Sequence, residues 1–207
     1  MRGQAIAAPE DGPRRNEAGK RNHGSMTGPS HIALGVSSVW LLRLVPGVIG
    51  PLTAVDGSSP GLLVGAAALG ALLPDLDAAH STVKYLRLGR TFQPFRVPAR
   101  ILSGHFTHRG PLHSLAGLGL LWLWTGLPTL LWIGWQPSLA LALGLLSHLM
   151  GDASTKNGVP LLYPRPGRWH LLPAGWRLTT GSAAEQAVFA VLIVPVLLLL
   201  FGLIVPS

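Results

Sequence analysis

Apolar residues in this chain fall into long blocks, and its polar residues gather in the gaps between them. Five blocks stand out: 31–50, interrupted only by Arg43; 61–74, rich in Gly, Ala and Leu; 114–134; 138–151; and 187–205, with Pro195 inside. A helix needs about 20 residues to cross the hydrocarbon of a bilayer, and the first, third and fifth blocks reach that length. The second and fourth are short, which predicts tilted, re-entrant or longer helices than the pattern shows. Small residues in the second block suit close helix packing in lipid. Pro51 with the Gly/Ser/Pro turn at 56–61, and Trp135-Gln136-Pro137, are the expected breaks. No stretch alternates in the manner of a strand, and nothing repeats. The pattern predicts an all-α protein, a polytopic membrane bundle of about five helices.

Composition agrees. The 207 residues are 48% hydrophobic and 12% charged, where soluble chains carry about 25% charged residues; mean hydropathy is +0.42. There is no cysteine, which excludes disulfides, thiolate zinc sites and cysteine nucleophiles. The net charge of +8 is spread between the blocks and forms no single patch, so no nucleic-acid partner is expected. Lys84, Arg87, Arg90, Arg96, Arg100 and Arg109 lie in the 80–110 loop, and Lys156, Arg165, Arg168 and Arg177 in the 152–180 loop. The loops at 51–60 and 135–137 carry no Lys or Arg. By the positive-inside rule, five crossings then place both basic loops in the cytoplasm and the C-terminus outside. Residues 1–28 hold basic residues, acids, Gly and Pro with no apolar period, and read as a disordered basic tail. Residues 29–207 form the membrane-embedded domain.

The chemistry is organised around Ser147–Thr155. His148 and Asp152, four apart at the end of an uncharged run, share one face if that run is helical. An imidazole and a carboxylate so placed can chelate a divalent ion. The ordinary alternative is a capping Asp and a hydrogen-bonded core His, and the rest of the chain shifts the balance. Beyond the tail there are only five acids: Asp56, Asp75, Asp77, Asp152 and Glu185. On the five-crossing topology all but Asp56 fall at cytoplasmic helix ends, with His31, His108, His113 and His148. Ligand types gathered at one end of a bundle are how a helical fold builds a metal site. In Leu73-Pro74-Asp75-Leu76-Asp77, one carboxylate is expected as a ligand and the other as its neighbour; a solvated turn is the alternative. His108-Arg109-Gly110-Pro111-Leu112-His113-Ser114 offers two imidazoles and a guanidinium suited to an anion. Thr155 is a supporting candidate, and so is Glu185, for which dipole capping of the last helix is the alternative. His80, His105 and His170 read as loop or interfacial residues.

Taken in order, these motifs acquire a family. Ser30-His31, Leu73–Asp77, His108-Arg109-Gly110-x-x-His113-Ser114, His148-x-x-x-Asp152-x-x-Thr155-x-x-Gly158-Val159-Pro160-Leu161-Leu162-x-Pro164 and Thr180-Gly181-x-x-x-Glu185 resemble the YdjM-like, LexA-binding inner-membrane family of metal-dependent hydrolases. Leu112 departs from the Thr usual before the second His of its motif. A more distant resemblance, to the zinc-dependent phospholipase C and P1 nuclease group, implies His31, Asp75 or Asp77, His108 or His113, His148 and Asp152 as ligands; that group's second His/His/Glu cluster is not evident. The expectation is a multi-pass inner-membrane hydrolase using a divalent metal such as Zn, with Asp77 and Arg109 in catalytic roles. It would act on a phosphoester or other small-molecule or lipid-like substrate at the cytoplasmic face. The contrasting expectation is a metal-stabilised scaffold that docks a cytosolic regulatory protein through the 80–110 loop.

Overall fold

In the computed structural model, residues 28–42, 59–78, 81–87, 89–105 and 110–200 are described. The expected tail, residues 1–28, lies almost wholly outside that set, as do Asp56, His80, His108 and Arg109. The described chain is mostly helical, and isolated bridges, among them Thr155 with Leu178 and Val159 with Trp169, are its extended pairings. Six helices are present among the described residues: α1 (Gly28–Leu42), α2 (Pro60–Leu72), α3 (Arg96–His105), α4 (Leu115–Trp132), α5 (Trp135–Ala153) and α6 (Ala183–Leu200). Each of the five apolar blocks overlaps one of them. The sixth, α3, lies in the basic loop, where no helix was expected.

α1, α2 and α5 pack against one another, α6 lies on α1, and the second half of α4 lies on α5. The α2–α5 crossing is close because glycines meet backbone. A Cβ on Gly70 would stand 2.1 Å from the Leu141 carbonyl oxygen, and one on Gly144 2.2 Å from that of Ala67. Two apolar clusters fill the interior. Val36, Val39, Leu63, Ala67 and Ala140 join the three helices at one level. Leu73, Leu76, Phe95, Ala99, Leu112, Leu145 and Leu149 form the other, toward the end where the polar motifs lie.

Two boundaries differ from the expected ones. The α4–α5 break falls at Gly134, with φ 135°, and Trp135-Gln136-Pro137 is the first turn of α5. A proline there costs nothing, because first-turn N–H groups have no partner within the helix. α5 therefore runs 19 residues, so the short fourth block belongs to a longer helix. Pro128 withholds an N–H inside α4, and the helix widens into a π turn over Trp122–Gly126. The Ser138 hydroxyl donates to the Gly126 carbonyl at 2.8 Å and ties that turn to α5. Among the described residues α4 is the one helix long and apolar enough to cross a membrane, and only 17% of that window is buried.

Candidate metal centre

Four chain segments deliver their polar side chains to one end of the helix packing. His31 comes from the first turns of α1. Asp75 comes from the 3-10 turn Leu73–Asp77 that closes α2, and His113 from the 3-10 turn Pro111–His113 that leads into α4. His148 and Asp152 come from the last turns of α5 on the shared face their spacing predicts. All five are buried. The solvated-turn reading of Leu73–Asp77 fails, since Asp75 and Asp77 are both buried as well.

Their distances separate hydrogen bonding from ligation. His113 Nε2 lies 3.5 Å from Asp75 Oδ1 and 3.5 Å from Asp152 Oδ2. His148 Nε2 lies 3.7 Å from Asp75 Oδ1, 3.9 Å from Asp152 Oδ2 and 3.3 Å from His113 Nε2. A good N–H···O bond would close to about 2.9 Å. Two ligands about 2.1 Å from one tetrahedral ion stand about 3.4 Å apart. The observed separations bracket the second value. The other Asp152 oxygen, Oδ1, faces His31 Nε2 at 3.7 Å. The donors form two groups, His31 with Asp75 and His148, and His113 with His148 and Asp152, each within 4.8 Å.

Local hydrogen bonding aims the donors. His148 Nδ1 lies 2.6 Å from the Ala71 carbonyl oxygen. A carbonyl only accepts, so Nδ1 carries the proton and Nε2 turns its lone pair to the cluster. Pro74, three residues on, has no N–H to offer that carbonyl. Sequence reasoning missed this backbone partner, and Pro74 was its only trace. The His31 and His148 rings stack with centroids 3.7 Å apart and planes 15° apart. Two imidazolium ions would repel in that arrangement, so the stack does not supply the positive charge the carboxylates need. Burial works against the charge on Asp75, and only positive charge on the facing imidazoles of His148, His113 and His31 would hold its carboxyl below the ordinary carboxylate range, a charge that neutral rings do not carry. Both His31 ring nitrogens and Asp75 Oδ1 have no hydrogen-bond partner among the described residues. Buried anions and lone pairs left in this state are costly, and a divalent cation relieves them. The donor set fits one.

The remaining candidates take other places. Asp77 shares the Asp75 turn but is not in either donor group. The Thr155 hydroxyl donates to the Asp152 carbonyl at 2.7 Å and so closes α5. The loop beyond is pinned to the same end, with Leu171 N–H bonded to Ala153 O and Leu115 N–H to Leu161 O. His170 Nε2 meets the Lys156 carbonyl in that loop, as expected of a loop residue. Glu185 accepts from the Gly181 N–H, and its own N–H donates to Ser182 Oγ. That is the capping arrangement. Glu185→Ala, which removes the acceptor, should therefore lower the thermal midpoint by the equivalent of about 0.5–2 kcal/mol and leave bound metal unchanged; loss of metal with an unchanged midpoint would move Glu185 into the centre.

Helices converging on a buried cluster of three imidazoles and two carboxylates define a helical protein with a candidate metal centre. The chain belongs to the YdjM inner membrane protein family, whose model matches residues 26–206. It is also similar to the uncharacterized protein YvsG of Bacillus subtilis (strain 168), 31% identical over 167 residues that cover 80% of this chain and 88% of that one. No solved structure matches it.

Proposed function

We propose that this protein is a multi-pass membrane hydrolase that uses a divalent metal, zinc in the first instance, to cleave a phosphoester at the cytoplasmic face. The observation that carries the reading is the set of buried donors at inter-ligand spacing in a member of an inner-membrane family. Imidazole and carboxylate donors without thiolate suit zinc. When bound, such an ion supplies Lewis acidity, polarising a phosphoryl oxygen and lowering the pKa of water to about 7.

The residues then divide the work. His148 holds its Nε2 lone pair inward, His113 turns its Nε2 toward both carboxylates, and Asp75 and Asp152 supply the negative charge. Asp152 has one oxygen toward His31 and the other toward His113 and His148, and His148 is the donor common to both groups. Asp77 is proposed to take a proton or to orient a ligand imidazole. Arg109, and with it His108, lies in the motif just before His113; the guanidinium is proposed to bind the phosphoryl group through its bidentate fork.

Exposed apolar and aromatic residues support the bilayer setting. α4 shows Leu120, Leu123, Leu130 and Leu131 outward, with Trp132 and Trp135 at its far end, while Trp169 and Trp176 are exposed at the site end. Trp at both levels is the pattern of an interfacial belt. Five crossings by α1, α2, α4, α5 and α6 are proposed, with the site end in the cytoplasm. The cysteine-free chain makes this testable with Ser58→Cys, Arg90→Cys, Ile133→Cys and Arg168→Cys. An impermeant thiol reagent on intact cells should label the first and third; labelling of the second or fourth would reverse the orientation.

Catalysis is tested by release of product from phosphomonoesters, phosphodiesters and phospholipids in detergent, with and without added Zn²⁺ or Mn²⁺. Metal-dependent turnover that falls in Arg109→Lys, with metal retained, is expected. Folded, metal-loaded protein inert on every substrate would replace this reading with the regulator-docking scaffold.

A further inference from the structure

On the other side of the turn that carries Asp75, the basic loop folds into a pocket of its own. α3 and the 3-10 turn Thr82–Tyr85 enclose about 340 Å³ lined by Lys84, Tyr85, Arg96, Val97 and Arg100. The pocket is built on the core, because Val83, Phe95 and Ala99 bury against Leu73 and Leu76. The Arg96 guanidinium donates to Gln93 Oε1 at 3.2 Å.

Charge and exposure say what it receives. Three of the five lining residues are cationic. The carboxylates among the described residues, Asp75, Asp77, Asp152 and Glu185, are all buried, and since Arg100 already has a partner, Lys84 and Arg96 are the cations offered to a ligand. Around the cations stand apolar side chains turned outward: Tyr85 is 70% exposed, Phe92 63%, Val97 66% and Ile101 58%. Val97 and Ile101 are one turn apart on α3, as are Arg96 and Arg100. Guanidinium and ammonium groups grip phosphate oxygens, while exposed apolar side chains call for an apolar neighbour. One partner offers both at this spacing.

We propose that the pocket holds the phosphate of an anionic lipid headgroup while Phe92, Val97 and Ile101 enter the acyl boundary beside it. α3 then lies along the membrane surface as an interfacial helix, at a leaflet whose negative charge the basic loop matches. This stands whether or not the neighbouring metal centre hydrolyses anything. A free nucleotide or a nucleic acid would satisfy the cations and leave the apolar flank in water.

The test uses the full chain reconstituted in bilayer discs of mixed phosphatidylglycerol and phosphatidylcholine, then extracted into detergent, with the retained lipid counted by native mass spectrometry. Wild type should retain phosphatidylglycerol over phosphatidylcholine. Lys84→Gln/Arg96→Gln should reduce that preference about tenfold or more, the scale of losing hydrogen bonds to charged groups. The charge-keeping Lys84→Arg/Arg96→Lys should largely preserve it, and Val97→Ser/Ile101→Ser should weaken retention of both lipids. Bound metal and thermal midpoint report folding in every variant. An undiminished preference in the charge-removing variant overturns the proposal and leaves the face to a soluble partner. Retention abolished by inorganic phosphate, together with indifference to Val97→Ser/Ile101→Ser, also overturns it, because the pocket would then be a simple anion site.

Discussion

Asp152→Asn is expected to strip the protein of its divalent ion while leaving the helices in place. Asn keeps the shape of the side chain and its place on α5, but removes the negative charge that faces three imidazoles. The amide nitrogen is also no donor to a metal, so one of the two oxygens that face separate imidazoles is lost. Even changes to groups that only support a ligand cost about 10–100-fold in metal affinity, and this one removes a proposed ligand. Elemental analysis should therefore find metal-to-protein ratios reduced by at least that factor at limiting metal. Turnover should fall with it. Asp75→Asn should behave the same way, whereas Asp77→Asn, outside both donor groups, should retain metal. An Asp152→Asn protein that keeps its full complement of metal would remove Asp152 from the centre.

The second large effect comes from a residue with no functional group. Gly70→Ala places a methyl 2.1 Å from the Leu141 carbonyl oxygen and 3.0 Å from its carbon. Both neighbours are backbone, so no rotamer change relieves the clash, and α2 must move away from α5. Overpacking of this kind costs typically about 1–3 kcal/mol. Moving the helix also disturbs the centre, because Ala71, the next residue, accepts the bond that aims His148. The thermal midpoint in detergent and the affinity for metal should fall together. Gly65→Ala is the control: on the same helix, nothing stands within 4 Å of its Cβ. It should be neutral or stabilising, since Gly costs about 1 kcal/mol relative to Ala in a helix. Equal behaviour of the two variants would contradict the close α2–α5 approach.

Much of this architecture is legible in the chain, for reasons that differ by element. The apolar blocks reveal α1, α2, α4, α5 and α6 because helices facing lipid or one another carry few charges along their length. α3 hides because it is short and basic and carries Pro98 in its first turn; among its described side chains Ala99 is the buried one. The His148–Asp152 pair is legible because 3.6 residues per turn fixes its geometry once the run is helical. The choice between Asp75 and Asp77 is not, since residues two apart in a 3-10 turn point about 120° from each other and only the packing of that turn decides which faces inward. His113 is placed in the cluster, while His108 lies outside the described residues. Glu185 shows the opposite case, where capping, the ordinary use of an acid at a helix start, is what the contacts display.

The measurement that bears most directly on the metal centre is X-ray absorption at the metal edge of the purified, metal-loaded protein, paired with His148→Ala. The account predicts a stoichiometric ion with nitrogen and oxygen neighbours at about 2.0–2.2 Å, outer-shell scattering from imidazole rings, and loss of part of that scattering in the variant. Protein that stays metal-free when offered Zn²⁺ and Mn²⁺, or an ion surrounded only by water-like oxygens with no imidazole signature, would contradict it.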